Sequence, residues 1–261
     1  SMGAYPFSND IQKFTLLPTF MAWKRKLVIG GSLGLQNDNL RKTKAATSMR
    51  TIGSLNVSLN PWPFFGIDAG YSNYGINQRT GRIPLPDSMR VRQLTSNITV
   101  TPRFTFNSAS LSQTIMMVYN YMALTDKNPA TSVLTGNKNQ IVQLSYSASL
   151  PESNWSFSAG LNYLSSRNYL GSVSSYGLNA SIGKELLNQQ LSLGLPVTLL
   201  RSQAEDAKGW ILNTGLTADY TLTKHHSFKL NIDHTGNYFP TGSDQPSFNE
   251  IKGDLMYVYK F

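Results

Sequence analysis

Apolar and small polar residues alternate along most of the chain. In "WSFSAGLNYL", Trp155, Phe157, Ala159, Leu161 and Tyr163 share one parity, and Ser156, Ser158, Gly160 and Asn162 share the other. "SYGLNASIG" sets Tyr176, Leu178, Ala180 and Ile182 against Gly177, Asn179, Ser181 and Gly183. "WILNTGLTADYTL" repeats the device from Trp210 to Leu222. A period of two is the mark of a strand with unlike faces, because successive Cβ atoms point to opposite sides. No long stretch carries a helical period. The best helical candidate, "GKELLNQQ" near Lys184, is short and reads better as a turn.

About thirteen such segments follow one another, each long enough to cross a bilayer as a tilted strand of ~9–11 residues. They lie near 13–23, 26–37, 47–60, 63–78, 90–106, 109–122, 139–150, 154–166, 171–183, 190–201, 208–222, 225–238 and 247–261. Tight connections ("WKRK", "NPWP", "FNSA", "LPESN", "KELLNQ", "LTKHH") alternate with longer ones ("NDNLRKTKAA", "NQRTGRIPLPDSM", "ALTDKNPATSVLTGNKNQ", "SSRNYLG", "SQAEDA", "YFPTGSDQP"). Short turns on one rim and long loops on the other characterise a membrane barrel. The predicted fold is all-β: an antiparallel transmembrane β-barrel of about 12–14 strands, occupying residues 1–261 as one domain.

Composition separates this reading from a soluble sandwich, which also alternates. Only 14% of residues are charged, against roughly 25% in soluble domains. The polarity comes from Ser, Thr, Asn and Gln, whereas a solvent-facing sandwich would carry more Lys and Glu. Aromatics gather near strand ends at Trp23, Trp62, Phe64, Phe65, Phe104, Phe106, Trp155, Phe157, Trp210 and Tyr220, where rings suit a membrane–water interface. No apolar run approaches the ~18 residues of a transmembrane helix. The opening "SMGAYPFSND" lacks the basic and apolar regions of a signal peptide. There is no cysteine, hence no disulfide frame and no thiolate metal site.

The chain ends in "LMYVYKF". Gly253, Leu255, Tyr257, Tyr259 and Phe261 share one parity right up to the carboxyl end. This ending resembles the terminal β-signal of bacterial outer-membrane proteins, with its final Phe, alternate aromatic or apolar residues and upstream Gly. The resemblance implies that these five residues are an assembly signal read by the barrel-assembly machinery. It also implies an outer-membrane location with the C-terminus on the periplasmic side. The Asn- and Tyr-rich strands and Pro/Asn/Asp loops resemble barrels of the Bacteroidota. With Phe261 periplasmic, the tight turns are periplasmic, the long loops extracellular, and the first of thirteen segments starts outside. A complete single-chain bacterial barrel has an even number of strands. Three arrangements reconcile this: a miscount by one, a first segment inside or beside the barrel, or the C-terminal part of a larger barrel. The third is preferred, and it also accounts for the absent signal peptide.

Candidate chemistry is sparse. The net charge is +9. Basic residues fall in predicted outer loops at Arg41, Lys42, Lys44 and Arg50, and at Arg79, Arg82, Arg90 and Arg92. They lack the interleaved stacking aromatics of a nucleic-acid groove, so the expected partners are outer-membrane lipid and lipopolysaccharide, with other outer-membrane subunits, and no nucleic acid. Asp68, Arg103, Asp219, Lys229, Asp233, Glu250, Lys252 and Asp254 have the parity opposite to the apolar stripe. They are read as lumen charges, since Arg or Lys near the hydrocarbon midplane costs ~2–4 kcal/mol. A local salt-bridge lattice is preferred for them over a selectivity filter. Of the three histidines, His225 and His226 fall in a predicted turn, and His234 shares parity with Phe228, Leu230 and Ile232. No nucleophile–base pair, phosphate loop or calcium loop is legible. No catalytic residue, metal or cofactor is expected. The function read from the chain is a channel or solute-transport protein. The alternative is a non-catalytic scaffold or accessory subunit of an outer-membrane complex, with a lipase or protease a minor third reading.

Overall fold

Each alternating segment hands its backbone hydrogen bonds to the next segment along the chain. A computed structural model describes residues 11–39, 46–80, 86–128, 130–204, 208–240 and 246–259. The strands are β1 (Gln12–Leu16), β2 (Thr19–Ala22), β3 (Leu27–Asn37), β4 (Ala46–Trp62), β5 (Phe65–Thr80), β6 (Arg92–Asn107), β7 (Ser112–Asp126), β8 (Asn137–Leu150), β9 (Trp155–Asn168), β10 (Gly171–Leu186), β11 (Leu191–Ala204), β12 (Lys208–Thr221), β13 (His226–Tyr238) and β14 (Phe248–Tyr259). They form one 14-stranded sheet in chain order, every neighbouring pair antiparallel. The protein is all-β, with short helical turns at Asp87–Met89, Ser132–Thr135 and Pro151–Ser153 among the described residues.

β1 and β2 share a row. β1 pairs with the Leu33–Asn37 end of β3 and β2 with its Leu27–Gly30 end. The row breaks at Leu17–Pro18. Proline has no N–H to give the ladder, but its carbonyl still accepts the Gly31 N–H at 2.9 Å. The Pro18 ring packs where a side chain at Gly31 would stand. Fourteen strands with two in one row make thirteen rows, the number of alternating segments. The first and last rows therefore run in the same direction, and both edges of the sheet are open.

The tight rim holds the connections Trp23–Lys26, Pro63–Phe64, Ser108–Leu111, Pro151–Asn154, Leu187–Gln190 and Leu222–His225. Two of these hairpins turn through adjacent left-handed central residues: Lys24 and Arg25 at φ 53° and 69°, and Asn188 and Gln189 at 53° and 68°. The hydrogen bonds Lys26 N–H to Trp23 O and Gln190 N–H to Leu187 O close them. Such mirror-image turns match the right-handed twist of the flanking strands. "GKELLNQQ" is thus a strand end and a turn. On the opposite rim, "SSRNYLG" is no long loop: the ladder continues to Asn168↔Gly171, and only Tyr169–Leu170 connects the strands. Ser165, Ser166, Arg167 and Asn168 are polar on both parities, so alternation fades there while the backbone pairing persists.

Register carries the two parities across the sheet. Leu144, Leu161, Leu178, Leu199 and Leu212 are successive partners on the apolar face. Gly160, Asn179, Thr198, Asn213, Thr235 and Glu250 are successive partners on the other. Among the described residues no apolar side chain is buried. The surface is 17917 Å², whereas a soluble monomer of this mass exposes about 11,400 Å².

Candidate functional site

The polar face is built from strands whose alternate residues are Ser, Thr, Asn and Gly, and it is the face with organised polar contacts. Asn120 Nδ2 donates to Asn97 Oδ1 at 2.8 Å and Thr99 Oγ1 at 2.9 Å. Asn162 Nδ2 donates to Asn179 Oδ1 at 2.8 Å. Ser158 pairs with Ser181 and Ser32 with Ser54 through their hydroxyls. A recess of about 510 Å³ on this face is lined by Thr19, Asn56, Ser58, Asp68, Ser72 and Thr99 among others.

All eight lumen candidates take this face, in two groups. Arg103 lies 3.7 Å from Asp68 and donates to Asn60 Oδ1 at 2.9 Å. Lys229 meets its register partner Asp219 at 3.0 Å, and Lys252 meets Glu250 at 3.2 Å along β14. Asp233 stands opposite Lys252 and Asp254 opposite Asn231. The paired side chains are about half exposed or more, so each pair contributes only ~0–1 kcal/mol. The three pairs are local and share no residue.

The loop-bearing rim holds a cluster that sequence reasoning missed. Asp126, the last residue of β7, and Asn128 are buried. Asp126 accepts the Asn128 N–H at 2.9 Å, the Thr131 hydroxyl at 2.6 Å and the Thr135 hydroxyl at 2.7 Å. Asn128 Nδ2 donates to the Ser88 and Arg90 carbonyls across the rim. Asp126 closes β7, a strand of 15 residues, where ~9–11 would suffice to cross hydrocarbon. Burial pushes its carboxyl pKa upward. The hydrogen bonds from Thr131, the Asn128 backbone and Thr135 outweigh that, and its pKa falls below the ordinary carboxylate value. The legible signal was Asp126-x-Asn128, a pair that favours side-chain-to-backbone turns.

The predicted basic loops divide on inspection. Arg50, Arg79 and Arg92 stand in β4, β5 and β6, not in loops, because the Thr, Asn and Gln around them continue the ladder without adding hydrophobicity. Arg90 lies between a turn and β6. Arg41, Lys42, Lys44 and Arg82 lie outside the described residues.

Rings concentrate at the tight-turn rim. Trp62 stacks on Phe64, Phe64 on Phe106, and Trp155 on Phe157, with Phe65 beside Phe104 at 4.8 Å. Tyr257 packs on Phe228 and shares a 2.6 Å hydrogen bond with His226 Nδ1. Tyr259 lies against His226. Gly253, Leu255, Tyr257 and Tyr259 share the apolar face of β14, while Phe261 lies outside the described residues. His234 has Thr214 and Ile251 as register partners, neither of them a carboxylate.

Comparison with known proteins adds little to this geometry. No family model and no curated protein matches the chain. Among solved structures, CdiB from Acinetobacter baumannii superposes with a TM-score of 0.43 at 9% identity, covering 97% of this chain and 51% of that one. This chain thus spans about half the length of that protein. A likeness of this degree carries no argument about function.

Proposed function

We propose that the sheet is the wall of a transmembrane β-barrel in a bacterial outer membrane, and that the barrel serves solute transport. The carrying observation is the opposition of the two faces. One is a continuous exposed apolar belt. The other is a hydrogen-bonded surface of Ser, Thr and Asn with paired charges. A soluble fold buries its apolar side chains, whereas hydrocarbon around the belt stabilises this one. Closure follows from the same physics, since an unpaired edge in hydrocarbon leaves backbone groups without partners. The two edge rows run in the same direction, so antiparallel closure takes an odd number of further rows. The total is then even, as in bacterial barrels. In this reading the polar face lines water, the long loops are extracellular and the C-terminus is periplasmic. The lumen groups bind and pass solutes without covalent chemistry.

Planar-bilayer recording of the closed barrel, with the further rows that complete this sheet, tests the proposal, and stable unitary conductance is expected. A second reading, an accessory subunit of an outer-membrane complex, is favoured by the edges. Leu255 is 75% exposed and Phe14 65%, against 53% for mid-sheet Leu178. Strands of another polypeptide would cover them. Absence of conductance, with defined partner polypeptides co-purifying through these edges, would replace transport by that reading.

A further inference from the structure

We infer that the loop-bearing rim of the apolar face is a binding belt for phosphorylated lipid headgroups. The inference rests on the membrane-barrel reading and assigns its lipid partner to particular residues.

Six strand cations hold apolar parity at this rim: Arg79, Arg92, Lys138, Arg167, Arg201 and Lys208. Their register partners fix the face: Thr47 for Arg79, Asn77 for Arg92, Trp210 for Arg201 and Gln203 for Lys208, while Lys138 and Arg167 face each other. Every strand carboxylate among the described residues, from Asp68 to Asp254, takes the polar face instead. Charge is therefore sorted by face. Acids sit opposite the apolar stripe, and cations crown one end of it. The other described strand cation on the apolar face is Lys184. It lies at the opposite rim, over the Trp155 ring and bonded to the Ser153 carbonyl.

Three features turn this sorting into a site. Like charges directly opposite one another on neighbouring strands repel. Lys138 and Arg167 are such a pair, both exposed, without a carboxylate in ion-pair distance among the described residues. An anion between them relieves the repulsion. Arg79 and Arg92 line one recess with Lys127. The height also fits. Ten residues separate the girdle ring of Phe157 from Arg167 on β9. At ~3.3 Å per residue and a tilt of ~40°, that is about 25 Å along the membrane normal, the height of an outer-membrane apolar band. Finally, Arg201 lies 5.3 Å over the Trp210 ring, a combination suited to the interface. Below the cations the same face presents Leu161, Leu178 and Leu199. A ligand with a phosphate head and hydrocarbon chains matches both zones. A free anion matches only the upper one, and a nucleic acid would meet hydrocarbon below.

The test uses the full chain refolded into phosphatidylcholine vesicles doped with phosphatidic acid or phosphatidylcholine, each carrying brominated chains. Among the four tryptophans, Trp210 stands at the loop-bearing rim and Trp23, Trp62 and Trp155 at the other. Each basic residue near an anionic lipid surface contributes about fivefold in binding. Phosphatidic acid should therefore quench Trp210 as if enriched about tenfold or more over phosphatidylcholine, and the enrichment should fall with salt. Combining Lys138→Gln, Arg167→Gln and Arg201→Gln should abolish most of it, while Lys229→Gln on the polar face should leave it intact. Salt dependence in the unaltered chain serves as the second measurement if the triple variant does not fold. Equal quenching by both lipids in a chain that inserts normally overturns the belt alone. Displacement by inorganic phosphate at equal concentration overturns the lipid assignment. A chain that enters no vesicle overturns both the belt and the barrel.

Discussion

Replacing Leu178 by Arg tests the assignment of faces, because a single step along the chain reverses the expected outcome. Leu178 is central in β10 and sits between Leu161 and Leu199 on the apolar face. It is 53% exposed. Full burial of a Leu side chain is worth ~1.5–3 kcal/mol, so the half that meets hydrocarbon contributes ~0.8–1.6 kcal/mol. A guanidinium at the midplane adds ~2–4 kcal/mol. Together Leu178→Arg should destabilise the inserted state by ~3–6 kcal/mol. The adjacent residue, Asn179, faces the other way and accepts the Asn162 amide. Losing that bond costs ~0.5–1.5 kcal/mol, and the new guanidinium stands in water. Reversible denaturant titration in lipid vesicles reads both. Leu178→Arg should lower stability by at least ~1 kcal/mol more than Asn179→Arg. Equal losses, or a larger loss at Asn179, would refute the face assignment and with it the membrane reading.

Other outcomes follow from local geometry. Gln189→Gly should stabilise the fold by ~0.5–1 kcal/mol, because Gln189 holds a left-handed φ of 68° that glycine adopts without strain; denaturant midpoints report it. The Asp126 carboxyl is held below its ordinary pKa. Its contribution should therefore be fully present above the unfolded value of ~3.9 and lost as pH falls through the lower folded value. Hydrogen exchange at Asn128, Thr131 and Ser132 should show protection disappearing in that acid range, and Asp126→Asn should remove the pH dependence. Deleting Phe261 should sharply reduce outer-membrane insertion in cells while detergent refolding stays near normal, since burying a single Phe side chain is worth at most ~1.5–3 kcal/mol. Unchanged insertion would leave Phe261 without a signalling role.

The sheet was legible because alternation and ladder are the same physical fact. A strand between two unlike media must place its side chains by parity, and neighbours in an antiparallel ladder share that parity across every pair. Leu161, Leu178 and Leu199 therefore announced both their strands and their common face. The eight polar-face charges followed from the same rule. Legibility failed where both parities are polar. Ser165 to Asn168, and the residues around Arg50, Arg79 and Arg92, keep pairing after the hydropathy contrast ends, so the strands reach further than the pattern does. The Asp126–Asn128 cluster escaped for another reason. Its partners Thr131 and Thr135 are nearby in sequence, but Ser88 and Arg90 join through a turn between two other strands. No period encodes that junction. What parity does encode, beyond the fold, is the sorting of charge. Acids that would be penalised beside hydrocarbon and anionic headgroups take the polar face throughout. Cations persist on the apolar face where a headgroup region can neutralise them. A constraint from hydrocarbon alone would exclude both signs from that face, so the survival of one sign points to an anionic neighbour at that rim.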